Sequence, residues 1–226
     1  MTPAVPARHA AIVLAGGRSG RMGEDKAAIA WEGTTLLGRA VRELSGIGVV
    51  VVVRAPGQEL PPLHAAIVTD DAHPDRGPLQ GLASGLRAVG AGATAFVCAV
   101  DMPLMDAAFA NRVLAALDSG ADAAVPVVDG RLQPLAAAYR SEVADRAEAL
   151  LARGGRSLMA LLDVLDVRRL DDLPGAAAAV HNVNTPAELE AARQASREKR
   201  TSDPAVPSSS SPTQASAVAP DSDVTA

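Results

Sequence analysis

The densest chemistry in the chain lies in one run, Ala15-Gly16-Gly17-Arg18-Ser19-Gly20-Arg21-Met22-Gly23-Glu24-Asp25-Lys26, which directly follows an apolar stretch. Glycines at 16, 17, 20 and 23 let the backbone reach φ > 0 and approach a ligand closely, so successive N–H groups can converge on phosphate oxygens. Arg18, Arg21 and Lys26 add mobile positive charge beside that nest. Together they predict a triphosphate site. No Gly-Lys-Ser/Thr follows the glycines, so the run is not a P-loop, and Gly-Gly-x-x-Gly is not the Gly-x-Gly-x-x-Gly of a dinucleotide fold. A plain strand-to-helix turn would use the glycines but has no need of three cations.

A carboxylate able to face that loop is Asp101, which ends the apolar segment Phe96-Val97-Cys98-Ala99-Val100 and precedes Pro103. Open α/β sheets bind ligands at the carboxyl ends of their strands. Mg²⁺ takes one or two carboxylates plus phosphates and water, so one such aspartate suffices; a turn or cap role is the plainer alternative. Asp70 and Asp71 follow another short strand and precede Gly77-Pro78-Leu79-Gln80-Gly81, a turn opening a helix; one of the pair is expected to touch nucleotide or metal. In His181-Asn182-Val183-Asn184-Thr185-Pro186, Asn182 and Asn184 are candidates for acceptor binding or metal support. Thr185, Pro186 and Glu188 read as N-cap, N1 and N3 of a capping box.

These groups need elements to carry them. Apolar β-rich runs alternate with amphipathic stretches, which predicts an α/β fold with a mostly parallel sheet covered by helices on both faces. Strands are expected at 10–14, 48–53, 66–69, 94–100, 123–128, 135–139 and 167–170. Helices are expected at 36–44, 81–89, 106–117, 142–151, 158–165 and 186–194, with Asp106 as an N-cap. From Ser196 the chain is largely Ser, Pro, Thr, Ala and Asp and cannot offset its ordering entropy. The division expected is a nucleotide-handling domain over 1–195 and a disordered tail over 196–226.

Composition narrows the partners. The 226 residues are 48% hydrophobic, enough for one sizeable core. A net charge of −5 with scattered Lys and Arg lacks the field needed for a polyanionic duplex, and 2% aromatic content leaves few stacking platforms, so nucleic acid is excluded. The apolar runs fall short of the roughly eighteen residues that span a bilayer, and Met1–His9 reads as no signal peptide. A lone cysteine, Cys98, forbids an internal disulfide, fits a reducing cytoplasm and reads as inert core. His9, His64, His73 and His181 have no metal spacing, and no Ser-His-Asp set or Gly-x-Ser-x-Gly elbow occurs.

The run Leu14 to Lys26 resembles the L-A-G-G-x-S-x-R-M-G-x-D-K signature of the molybdenum cofactor guanylyltransferases, within the wider nucleotidyltransferases of sugar-phosphate and cofactor pathways. The resemblance covers about residues 10–194. It implies a Rossmann-like α/β/α sandwich and Mg²⁺-dependent transfer of GMP from GTP to molybdopterin-bound molybdenum, with release of pyrophosphate. It further implies that Leu14, Ala15, Gly16 and Gly17 meet the nucleotide, Arg21 and Lys26 its phosphates, Asp70 the nucleotide and Asp101 the metal. Gly77–Gly81 would lie near the base, and Asn182 and Asn184 would face the cleft. Gln133-Pro134 stands where relatives carry His-Pro, and Arg54 where some carry a base- or ribose-contacting polar residue. A cytidylyltransferase of the same cofactor, an enzyme acting on phospholactate or a sugar phosphate, and a non-catalytic GTP-binding partner of molybdoenzyme assembly are the other readings; Gly16-Gly17, in place of Ala-Gly, leans towards guanine.

Overall fold

Five successive valines open the strand Val49–Arg54, and their β-branched side chains suit a pleated surface buried on both sides. That strand lies inside an eight-stranded sheet. The computed structural model describes residues 8–16, 25–64, 66–71, 73, 76–117 and 120–202. Gly17 and Arg21 lie outside the described residues.

The strands are β1 (Arg8–Leu14), β2 (Ala30–Trp31), β3 (Thr34–Thr35), β4 (Val49–Arg54), β5 (Ala66–Asp70), β6 (Ala93–Ala99), β7 (Ala123–Val128), β8 (Arg131–Leu132), β9 (Ala136–Arg140) and β10 (Val167–Leu170). The helices are α1 (Leu36–Leu44), α2 (Pro78–Val89), α3 (Ala107–Ala115), α4 (Val143–Ala152), α5 (Leu158–Leu162), α6 (Ala176–Ala179) and α7 (Pro186–Ser202). The main sheet runs β10-β7-β9-β6-β1-β4-β5, with β8 paired to β7. Strand β1 pairs in parallel with β4 and β6, and β4 with β5; β9 is antiparallel to both β6 and β7.

Alternation along each strand makes two cores. Ala11, Val13, Val50, Val52, Phe96 and Cys98 face α1, α3 and α7, while Ile12, Val51, Val53 and Val97 face α2, α4 and α5. This is the three-layer α/β/α arrangement that the alternating pattern predicts. The expected caps form as well: Asp106 accepts from the Phe109 amide at 2.8 Å, and Thr185 and Glu188 form the capping box.

The structure departs from expectation where local signals are weak. Helix α2 starts at Pro78 rather than 81, because Gly77 at φ +75° turns the chain and Pro78 takes N1. The two-residue strands β2 and β3 form a separate hairpin too short to show a period. Helix α7 runs through Ser202, past the boundary expected at 196, because Ser196, Lys199 and Arg200 find partners on the domain. No described helix is long and apolar enough to cross a membrane.

Helix α2 sits tightly on the sheet. A Cβ on Gly85 would meet Ile12 Cγ2 at 2.6 Å and Val53 Cγ2 at 3.2 Å, and neither side chain has room to yield. Gly85→Val is expected to lose about 3 kcal/mol by overpacking, which for a domain of this size is on the order of 6–12 °C in Tm. A thermal melt at the parental temperature would refute this seating.

Candidate active site

Strand β1 delivers the glycine loop to the carboxyl edge of the sheet. Leu14 and Ala15 are buried, while Gly16 is exposed. The amides of Ala15 and Gly16 donate to the Val53 carbonyl at 2.8 and 3.3 Å, so the loop leaves the sheet held against β4. A Cβ at Gly16 would lie 3.2 Å from the Ala55 nitrogen. Gly16 therefore supplies space where the loop leaves β1 against β4.

Gln58 ties both ends of the loop. Its Nε2 donates to the Ala15 carbonyl at 3.1 Å and to Asp25 Oδ2 at 2.6 Å, while its Oε1 accepts from the Ala55 amide at 3.0 Å. Sequence reasoning passed over it, because a glutamine in a polar loop carries no motif. Asp25 in turn caps the 3₁₀ turn Lys26–Ala28 by accepting from the Ala27 amide at 2.9 Å, which fixes where Lys26 starts.

Lys26 then meets the two other predicted groups. Its Nζ donates to Asp101 Oδ2 at 2.6 Å and to Asn184 Oδ1 at 2.7 Å. Lys26 and Asp101 side chains are each 16% exposed, so the pair is only lightly screened by water. Asp101 is placed by its neighbours: the Val100 amide donates to the Leu14 carbonyl at 3.1 Å, and the Val183 amide to the Asp101 carbonyl at 2.9 Å. Asn184 is set by the capping box, since Glu188 Oε2 accepts from the Asn184 amide at 2.6 Å and the Thr185 amide at 3.0 Å. Those bonds also hold the Glu188 carboxyl below its ordinary range. Asn182, by contrast, is exposed.

Asp101 Oδ1 is buried and has no hydrogen-bond partner among the described residues. A bare carboxylate oxygen costs free energy in such a place unless a cation or donor arrives. Beside the Lys26 ammonium, that oxygen suits a divalent ion. Among the described residues no group of three His, Cys, Asp or Glu could hold a metal, so Asp101, with Asn184 nearby, would leave most of the coordination to phosphates and water.

The paired aspartates divide. Asp70, the expected nucleotide contact, is 54% exposed in its side chain and accepts from Arg54 Nε at 2.7 Å at the outer rim of the sheet. Asp71 turns inward. It is 8% exposed, its Oδ1 accepts from the His73 amide at 3.0 Å, and its Oδ2 lies 4.0 Å from where a Gly81 Cβ would be, beside Leu14. Burial raises the Asp71 carboxyl above the ordinary aspartate value. Asp71, Leu14 and Gly81 thus meet at one point of the carboxyl edge, whereas Asp70 turns to Arg54. Gln133 turns back to the Arg131 carbonyl in the bend before β9. Cys98 is fully buried and its thiol is pushed up to about 12, which agrees with an inert core role.

Residues 11–171 match the family model described as the MobA-like NTP transferase domain. A probable molybdenum cofactor guanylyltransferase of Mycobacterium avium is 42% identical over 192 residues, covering 82% of this chain and 95% of the relative. One of the same description from Mycobacterium tuberculosis is 40% identical over 197 residues, covering 83% and 94%. Among solved structures, molybdopterin-guanine dinucleotide biosynthesis protein A from Archaeoglobus fulgidus superposes with a TM-score of 0.70 at 24% identity, covering 84% of this chain and 99% of that one. The 2-C-methyl-D-erythritol 4-phosphate cytidylyltransferase of Thermus thermophilus gives 0.63 at 20% identity, covering 82% and 98%. Both structures share the fold.

Burial of Asp71 has a consequence for pH. A carboxyl whose folded pKa is raised penalises folding above that pKa, and the penalty is relieved as pH falls through it. Asp71→Asn keeps the acceptor for the His73 amide and is expected to raise the urea midpoint at pH 7, with the gain shrinking towards pH 4. A midpoint lowered at pH 7, or a gain constant with pH, would contradict this.

Proposed function

Because the chain belongs to the MobA-like NTP transferase family, we propose that it transfers GMP from GTP to molybdopterin-bound molybdenum, releasing pyrophosphate and forming the guanine dinucleotide cofactor. The observation that carries the reading is the meeting of Lys26, Asp101 and Asn184 at the carboxyl edge, with one Asp101 oxygen buried and unpartnered among the described residues. The names of the mycobacterial relatives support the choice of guanine and of the molybdenum cofactor. We assign the divalent ion to Asp101 and take it to be Mg²⁺, the hard cation that carboxylate and phosphate oxygens favour. When bound it would neutralise phosphate charge and orient the phosphate oxygens.

The residues of the chain do the rest. A phosphate oxygen of the acceptor attacks the α-phosphorus in line, the new O–P bond forms, and the bond to the bridging oxygen breaks with its electron pair leaving on pyrophosphate. Lys26 offers its ammonium protons to the phosphate oxygens, and Asn184 aims that ammonium by accepting one of them. Arg21 is assigned to the same phosphates. Leu14 and Asp71 flank the nucleotide at the mouth of α2, and Asn182 faces the acceptor. No general base is needed, since a phosphomonoester with a second pKa of about 6 is already anionic at neutral pH. The single, buried Cys98 supports a reducing, cytoplasmic setting, where a molybdoenzyme assembly partner would receive the product.

Lys26→Ala is expected to cost about 2–4 kcal/mol of transition-state stabilisation, or roughly 30- to 10³-fold in kcat/KM, and Asp101→Asn to abolish Mg²⁺-dependent turnover while leaving the circular-dichroism spectrum unchanged. The reaction itself is checked by incubating the protein with GTP or CTP, Mg²⁺ and molybdopterin cofactor and weighing the product by mass spectrometry. The guanine dinucleotide should form with GTP alone. A cytosine dinucleotide, or pyrophosphate release without any dinucleotide, would overturn the reading.

A further inference from the structure

Each member of the Lys26–Asp101–Asn184 cluster sits on a different segment, and α7 touches all three segments. It begins just after Asn184, whose amide its Glu188 caps. Along its length Arg193 donates to the Ala30 carbonyl at 2.7 Å and Ser196 to Glu32 Oε2 at 3.4 Å, so the helix grips the hairpin that follows Lys26. Near its end Arg200 forks onto both oxygens of Glu32, with Nη2 to Oε1 at 2.5 Å, and Lys199 pairs with Asp106, five residues beyond Asp101.

The hairpin needs such a hold. Strands β2 and β3 have two residue pairs between them, and the turn joining them puts Glu32 at φ +42° and Gly33 at φ +82°. Glutamate is a poor occupant of the left-handed region, where glycine, asparagine and aspartate prevail. Trp31 anchors β2 in the core, so what is left to hold is the turn beyond it. The Glu32 side chain is nevertheless only 14% exposed, and the Arg200 fork holds its carboxyl below the ordinary glutamate range. Asp106 behaves likewise: burial pulls its carboxyl up, but Lys199 and the Phe109 amide outweigh that and leave it lowered. Helix α7 packs Leu189 and Ala192 into the core, and beyond Ser196 the Lys199 and Arg200 ion pairs tie it to the domain.

We propose that Arg200 and Glu32 are positioning residues for Lys26: the end of α7 is an ionic strap that holds the hairpin behind Lys26 in register with Asp101 and Asn184, and so sets nucleotide affinity without touching nucleotide. The proposal rests on the reading of that cluster as the nucleotide site. Arg200 is itself exposed, and an ion pair open to water on one side adds little to global stability, so the strap acts on the local position of the hairpin and its loss is read in binding rather than in melting.

The test is titration calorimetry of GTP with Mg²⁺ into the full chain at 25 °C, each variant first checked as folded by circular dichroism. Arg200→Glu is expected to weaken GTP binding about tenfold, whereas Arg200→Lys, which keeps the charge on Glu32, stays within about threefold of the parent. Should Arg200→Glu not fold, Arg200→Gln takes its place with an expected loss of about fivefold. Parental affinity in the charge-removed variant overturns the strap, as does an equal loss in Arg200→Lys, which would mark a packing defect at the helix end. Lys26→Ala run beside them separates the two ideas. If it too binds GTP at parental strength, the nucleotide-site reading falls; if it alone loses affinity, the site stands and the strap is wrong.

Discussion

An ammonium held between a carboxylate and an amide oxygen, with the carboxylate only half satisfied, is the contact on which the candidate site depends. Lys26 and Asp101 are too enclosed for water to screen them fully, and such a pair must offset the cost of drying two charges. Asn184 helps by accepting a second ammonium proton. The buried Asp101 Oδ1 gets no such help. A domain selected for stability alone would pair that oxygen or replace the residue. An orphaned carboxylate oxygen is instead what an edge that meets a cation would present.

Topology makes the contact possible. Strands β1 and β6 pair in parallel along their whole length, from Arg8 opposite Ala93 to Leu14 opposite Ala99. Any two loops that leave their carboxyl ends must therefore emerge side by side. Lys26 returns to the edge after β1, and Asp101 is the second residue past the end of β6. The third partner arrives by a backbone bond, from the Val183 amide to the Asp101 carbonyl, so that Asn184 follows at a fixed distance. Three segments remote in sequence are thus registered by sheet pairing and main-chain hydrogen bonds, and the side chains have little left to search. Antiparallel β9 closes the opposite flank of β6, so its neighbours on both sides are fixed.

Much of this was legible in the residues. The valines of β4, the apolar run of β6 and the capping residues Asp106, Thr185 and Glu188 each carry a local signal strong enough to survive tertiary packing. So did Lys26, Asp101 and Asn184, which the sequence placed at element ends and the structure brings within hydrogen-bond reach of one another. Features decided by partners far along the chain were not legible. Gln58 matters through Ala15 and Asp25, which its own neighbourhood does not announce. The choice between Asp70 and Asp71 turns on which one falls past the last residue of β5, a one-residue difference that sends the first to Arg54 at the rim and the second inward. The end of α7 reads as polar and Ser-rich, and its helical state is secured by Glu32 and Asp106, acids more than ninety residues upstream.

Trp31 sits in β2, five residues after Lys26, and is fully buried with Arg39 poised 6.0 Å from its ring centre. It is the one tryptophan in a chain that has a single tyrosine, and that tyrosine lies on β9. Excitation at the red edge of the indole band therefore interrogates a single spot at the foot of the turn that carries Lys26. The protein comes with its own optical probe, whose colour and quenching follow that hairpin, independent of the far half of the sheet and free of any attached dye.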